Sequence, residues 1–142
     1  MSVKGSCLCG GIRYEIDRDG FGKVVNCHCS MCRKATGAAF RTRVAVSTTA
    51  FRWLAGEDLL SRYESSPGET RTFCRVCGAT LATLFRDRPH TMGLPLGTLD
   101  DDPGVRPLAN VYVDSKAPWF EITDGLPCFP EGLTAAQLAT VR

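Results

Sequence analysis

Seven cysteines in three short clusters constrain this chain more than any other feature of its sequence: Cys7-Leu8-Cys9-Gly10, Cys27-His28-Cys29-Ser30-Met31-Cys32 and Cys74-Arg75-Val76-Cys77-Gly78. The clusters are spread over the first eighty residues, so the fold, not local sequence, has to gather them. The start, Met1 to Ser6, has no apolar core like that of a secretory signal, and no stretch approaches the roughly 18 apolar residues needed to cross a bilayer. The chain is therefore read as cytoplasmic. Reducing cytosol disfavours structural disulfides, which leaves metal binding as the favoured use of clustered cysteines.

Spacing suggests how the sulfurs divide. A strand puts residues i and i+2 on one face, so Cys7 with Cys9, and Cys27 with Cys29, are each expected to present two thiolates in one direction. Cys74 and Cys77 followed by Gly78 have the form of a zinc knuckle, in which the glycine takes the φ that turns backbone N–H groups toward the thiolates. Seven ligands do not make two closed four-cysteine sites. Cys7, Cys9, Cys74 and Cys77 are assigned to one closed, structural zinc, and Cys27, Cys29 and Cys32 to a second zinc with one position open for chemistry. Three other readings stay open at this point: a redox-active Cys-x-x-Cys, for which a thioredoxin-like βαβ pattern is missing; a single shared zinc with spare thiols; and two zincs that only stabilise the fold.

The rest of the sequence is that of a mainly β protein. Ile12, Tyr14 and Ile16 alternate with Arg13 and Glu15, and Phe40, Thr42, Val44 and Val46 alternate with Arg41 and Arg43, the period of half-buried strands. Further strands are expected over 23–29, 51–54, 59–64, 70–73, 80–85 and 110–113. Turn residues separate them at Ala55-Gly56-Glu57-Asp58, Ser65-Ser66-Pro67-Gly68 and Asp100-Asp101-Asp102-Pro103-Gly104. Thr134 and Gln137 have capping-box spacing ahead of Leu138 and Val141, which predicts a short C-terminal helix and no other. At 142 residues one domain spanning 1–142 is expected. Net charge is only +2, with basic residues dispersed among acidic ones, which argues against nucleic acid as a partner.

With these motifs in place, the chain resembles the glutathione-dependent formaldehyde-activating enzyme family, which also includes centromere protein V. The resemblance runs through Ser6 to Tyr14, Cys27 to Gly37, Phe73 to Gly78 and Lys116 to Pro127. It implies a β-tent fold, small antiparallel sheets brought together around zinc, and the same ligand split, with Cys27, Cys29 and Cys32 at a catalytic metal. It also implies a carbon–sulfur lyase that joins a small thiol, glutathione, to an aldehyde, formaldehyde. The competing reading within the same fold is a non-catalytic zinc-binding or interaction module. A departure is Cys128, an eighth thiol where many members carry a polar residue such as glutamine; it is expected to be a small buried hydrophobe.

In the lyase reading a substrate thiol adds to an aldehyde carbon beside Cys27, Cys29 and Cys32, and a nearby donor protonates the developing alkoxide. His28 is the candidate donor, although strand alternation would turn it away from the face shared by Cys27 and Cys29. Three thiolates on a divalent ion leave a net negative charge, and Arg33 and Lys34 are the candidate positive neighbours, Arg33 pairing with a glutathione carboxylate. Arg41 and Arg43 are expected to face solvent, and Trp119 and Phe120 to lie in the core. The sequence leaves the oligomeric state open.

Overall fold

Period-two alternation becomes strand wherever the sequence carries it. The protein is described here as a computed structural model covering residues 1–141, and it is mainly β. In chain order the strands are β1 (Ser2–Ser6), β2 (Arg13–Asp17), β3 (Phe21–Cys27), β4 (Arg41–Ser47), β5 (Phe51–Ala55), β6 (Leu60–Ser66), β7 (Glu69–Cys74), β8 (Thr80–Phe85), β9 (Thr91–Pro95) and β10 (Pro107–Val111). Two short helices accompany them, α1 (Ser30–Thr36) and α2 (Ala135–Thr140). Two units form, one from Met1–Gly22 with Val44–Val105, the other from Lys23–Arg43 with the chain from Arg106 onward.

The first unit carries the three-stranded sheet β1-β2-β5 and the strand run β4-β9-β8-β7-β6. Antiparallel hairpin pairing links β1 with β2, β6 with β7, β7 with β8 and β8 with β9. Val3, Ile12, Tyr14 and Ile16 are wholly buried, and Phe51 nearly so, the inward half of the alternation. Tyr14 stacks on Phe51 at 5.2 Å between centroids, and its hydroxyl pairs with Thr98 Oγ1 at 2.6 Å, which satisfies the one polar atom this ring takes inside. β1 and β9 are additions to the strands expected from sequence. Gly5 weakens the pattern of β1, while β9 buries four consecutive residues of Thr-Met-Gly-Leu-Pro, so it has neither alternation nor high β propensity to announce it.

The second unit pairs β3 with β10 in parallel, Val25 opposite Ala109 and Cys27 opposite Val111, a departure from all-antiparallel sheets. Its core gathers Val25, Cys27, Cys32, Ala109, Val111 and Val141, flanked by Cys29, Leu108, Phe129 and Leu133. The C-terminal helix is present with its capping box complete: Gln137 N–H donates to Thr134 Oγ1 (3.1 Å) and Thr134 N–H to Gln137 Oε1 (2.9 Å). Strand β3 stops at Cys27, short of the Cys29 expected, and helix α1 follows from Ser30, where no helix was expected. It buries only Cys32, so no apolar periodicity reveals it, and its ends are fixed by caps instead. Cys29 Sγ accepts the Cys32 N–H at the N-terminus, and Gly37, at φ 70°, closes the C-terminus with its N–H on the Arg33 carbonyl.

One glycine fixes the approach of two turns in the first unit. Gly56 sits at φ 74°, and a Cβ there would lie 2.1 Å from the Gly11 carbonyl oxygen. Gly56→Ala is expected to cost about 3 kcal/mol or more, the sum of a left-handed backbone penalty and a backbone collision. Denaturant unfolding, compared with the parent protein, measures it; a midpoint shift near zero would show that the two turns separate freely.

Candidate metal centres

In the first unit the turn after β1 and the turn after β7 bring four sulfurs together. Those of Cys7, Cys9, Cys74 and Cys77 all lie within 4.8 Å of one another. Cys7 and Cys9 are 3.5 Å apart and Cys9 and Cys74 3.9 Å. These separations are far longer than the roughly 2.05 Å of a disulfide. They bracket the about 3.8 Å between sulfurs that share one tetrahedral ion at metal–sulfur bonds of about 2.3 Å. The two turns are built alike. Gly10 (φ 77°) and Gly78 (φ 78°) send their N–H groups back to the Cys7 and Cys74 carbonyls, at 3.0 and 2.8 Å. Ile12 N–H then reaches Cys7 Sγ at 3.3 Å and Val76 N–H reaches Cys74 Sγ at 3.4 Å. Cys7 and Cys9 thus share a turn, not a strand face as expected: β1 ends at Ser6, and the amides could not converge on sulfur from a regular strand.

The thiols respond to this crowding. The amides of Ala79 and Cys9 push Cys77 down to about 6. Gly11 N–H acts in the same direction on Cys9, but the Cys7, Cys77 and Cys74 sulfurs together with burial outweigh it and push that thiol up to about 11. A first thiolate is favoured by the amides, and further ones are opposed by the first. A cation among the four sulfurs removes that opposition, so the donor set fits a metal.

In the second unit the sulfurs of Cys27, Cys29 and Cys32 also lie within 4.8 Å of one another. Cys27 ends β3, Cys29 caps α1 and Cys32 lies in its first turn, so strand end and helix start, not one strand face, orient the three. The Cys29 and Cys32 sulfurs push the Cys27 thiol far above the ordinary thiol range, burial adds to this, and the Arg43 charge opposes it. This set too is one that a cation would relieve.

The residues around the three-sulfur cluster differ from expectation in several ways. His28 is completely buried, its ring 4.9 Å from that of Phe40 and 6.1 Å from that of Phe120. It is not a member of the sulfur group. Its Nε2 lies 2.8 Å from Asn110 Oδ1, and Asn110 Nδ2 in turn donates to both carboxylate oxygens of Asp124 at 3.1 Å. Arg41, expected in solvent, is buried, and Arg43 is half-buried with its Nε enclosed and without a hydrogen-bond partner. Alternation along β4 holds at Val44 and Val46 and fails at its start, where the Arg43 charge acts on the Cys27 thiol. Arg33 is half-buried and Lys34 exposed, both in the last turn of α1. Trp119 is 73% exposed, packing edge-on against Phe120 instead of filling a core. Cys128 is exposed as well, its S–H directed at the Leu126 carbonyl, because the chain there runs along the outside of β10. Sequence reasoning missed Asn110 and Asp124. A buried asparagine within the apolar run Ala109-Asn110-Val111 was the available signal, since a polar side chain inside a sheet must have partners.

Fold and sulfur clusters together define a mainly β protein with two cysteine sets, each able to hold a metal ion. The family model for glutathione-dependent formaldehyde-activating enzymes matches residues 2–115, both sulfur sets included. The chain belongs to that family. A Halomonas elongata protein carrying the family's name is 28% identical over 130 residues, which cover 86% of this chain and 82% of that protein. A crystal structure of a Rhodobacter sphaeroides protein, a structural-genomics target, superposes with a TM-score of 0.59 at 27% identity, over 73% of this chain and 91% of that one. Among the described residues no helix is long and apolar enough to cross a membrane.

Proposed function

We propose that this protein is a zinc-dependent carbon–sulfur lyase that makes and breaks the bond between a small thiol, such as glutathione, and formaldehyde, in the cytoplasm. The observation that carries the reading is the unequal pair of sulfur sets, four in one and three in the other, with a buried histidine next in sequence to two of the three. All-thiolate ligation favours zinc over harder cations. Held by Cys27, Cys29 and Cys32, zinc would supply a Lewis-acidic position that favours the thiolate form of a thiol at neutral pH. Cys7, Cys9, Cys74 and Cys77 would hold a second, structural zinc.

The chain's own residues have separable tasks in this reading. Arg43 offsets the negative charge of three thiolates from inside, a task that sequence alone gave to Arg33 and Lys34. Those two remain at the end of α1, where Lys34 in particular is open to a substrate carboxylate. Phe40 and Phe120 keep water from His28, which strengthens any hydrogen bond it makes to substrate. His28 carries the proton. In the joining direction it takes the proton of the thiol, sulfur attacks the aldehyde carbon, the carbonyl π pair moves to oxygen, and His28 returns the proton there.

Thiols add to formaldehyde without an enzyme, so the test is exchange at equilibrium, measured by magnetisation transfer between free thiol and its hydroxymethyl adduct. Zinc-loaded protein is expected to accelerate exchange well above the uncatalysed rate for glutathione, with Cys29→Ser protein at the same concentration as the control. Exchange at the background rate with every thiol and aldehyde tried would favour a non-catalytic zinc module.

A further inference from the structure

Strand β6 closes the strand run of the first unit, with β7 on one side and no strand on the other. An open edge exposes unpaired backbone groups, and β1, at the edge of the three-stranded sheet, has Leu99 bridged to its Gly5. Which groups of β6 stay open follows from its register. Arg75 N–H donates to the Leu59 carbonyl, and Ser61 and Tyr63 lie opposite Phe73 and Arg71, so Leu59, Ser61 and Tyr63 turn their backbone toward β7. The alternate residues Leu60, Arg62 and Glu64 turn theirs outward. Leu60 N–H folds back onto the Glu57 carbonyl, which leaves the N–H and C=O of Arg62 and Glu64 without a partner among the described residues. Arg62, Tyr63 and Glu64 are all exposed, so neither face of the sheet is covered there.

The side chains say what fits this edge. Charges of one sign would repel a second copy, but β6 carries Arg62 and Glu64, opposite in sign and two apart on one face, with no Pro or Lys to block pairing. Set two copies of β6 antiparallel with Tyr63 on the two-fold axis, and Arg62 falls directly opposite Glu64 of the partner subunit. These are the residues whose backbones point outward, so each such pair can exchange N–H···O=C bonds in both directions. Arg62 has no side-chain partner of its own among the described residues. Glu64 Oε1 accepts from Gly68 N–H at 3.0 Å and Arg86 Nη2 at 2.9 Å, which holds the carboxyl below its usual range and leaves its second oxygen open. Tyr63, 65% exposed, would pack on Tyr63 of the partner subunit across a close, non-hydrogen-bonded pair. The neighbouring register, with Arg62 on the axis, would oppose like charges and draw Leu60 N–H away from Glu57. The bulge at Ser65 lies outside the central pairs.

We infer that the open edge of β6 is a self-pairing surface, through which two copies of this chain join antiparallel about Tyr63 with Arg62 against Glu64. The inference is independent of the lyase reading.

Sedimentation equilibrium of the zinc-loaded full chain over about 1–100 μM is expected to show a monomer passing to twice its mass. Backbone amide exchange at Arg62 and Glu64 should slow over the same range, an arm that needs no variant. Arg62→Glu, at an exposed position, sets like charges together in both symmetric pairs and is expected to weaken the dimer about tenfold or more with the far-UV spectrum unchanged. Combining it with Glu64→Arg restores opposite charges in this register alone and should bring the dimer back. A parent chain that stays monomeric throughout overturns the inference and leaves β6 open to an extended segment of another protein. A dimer that leaves the Arg62 and Glu64 amides exchanging freely, or that forms as tightly in Arg62→Glu as in the parent, overturns it too. So does a folded double variant that pairs no better than Arg62→Glu.

Discussion

Cys74→Ser is expected to leave the first unit without its native fold. Cys74 is wholly buried at the end of β7, and its sulfur lies 3.9 Å from that of Cys9, which sits 65 positions earlier in the chain. Metal binding at an all-cysteine site of this kind is worth about 10–16 kcal/mol in small zinc modules. The whole stability of a typical domain is about 5–15 kcal/mol. Serine keeps the shape, but its hydroxyl is a poor ligand for a soft-leaning ion, and the three remaining thiols lose the cation that lets them ionise together. The Val76 amide also loses its sulfur acceptor. Far-UV circular dichroism and thermal unfolding check the expectation, and a strong chelator added to the parent protein should reproduce it. A variant that melts within a few degrees of the parent would mean that the β1 and β7 turns are held by the sheets alone.

The opposite outcome is expected at Cys29. Cys29→Ser should remove the metal from the second unit and lower thiol–formaldehyde exchange about a hundredfold or more, while the fold survives. Survival follows from position. Cys29 is the N-cap of α1, half-buried, and its sulfur accepts the Cys32 N–H; serine is among the best N-cap residues and takes over that bond. Cys27 would be a worse choice for separating ligation from folding, because it is 2% exposed inside the core around Val25 and Val111. Metal analysis should find one ion fewer per chain, with the far-UV spectrum unchanged. Unchanged metal content in Cys29→Ser would remove this cluster from the account.

How much of this could be read from the sequence depended on which force wrote it. Strand β2 carries alternation that burial enforces, β4 does so from Val44 onward, and both lie with β5 where the pattern places them. The C-terminal capping box was legible because Thr134 and Gln137 satisfy each other locally. The two cysteine sets were legible as counts and spacings, but their local geometry was not. Turn amides fold around Cys7, and a helix cap forms on Cys29, where strand logic expected parallel side chains. Helix α1 has one buried residue, so the periodicity that betrays most helices is missing, and only Gly37 and the basic last turn remained as signals. Arg43 and Asn110 show the complementary failure. Polar residues on strands read as solvent-facing unless their buried partners are known, and the partners, Cys27 for one and Asp124 for the other, come from distant stretches of chain.

Native mass spectrometry of the zinc-loaded protein, with Cys29→Ser alongside, tests most directly that seven sulfurs divide four and three between two ions. Two zinc ions on the parent chain and one retained by Cys29→Ser is the predicted result. A parent chain that never carries more than one zinc, or a Cys29→Ser chain that still carries two, would contradict it.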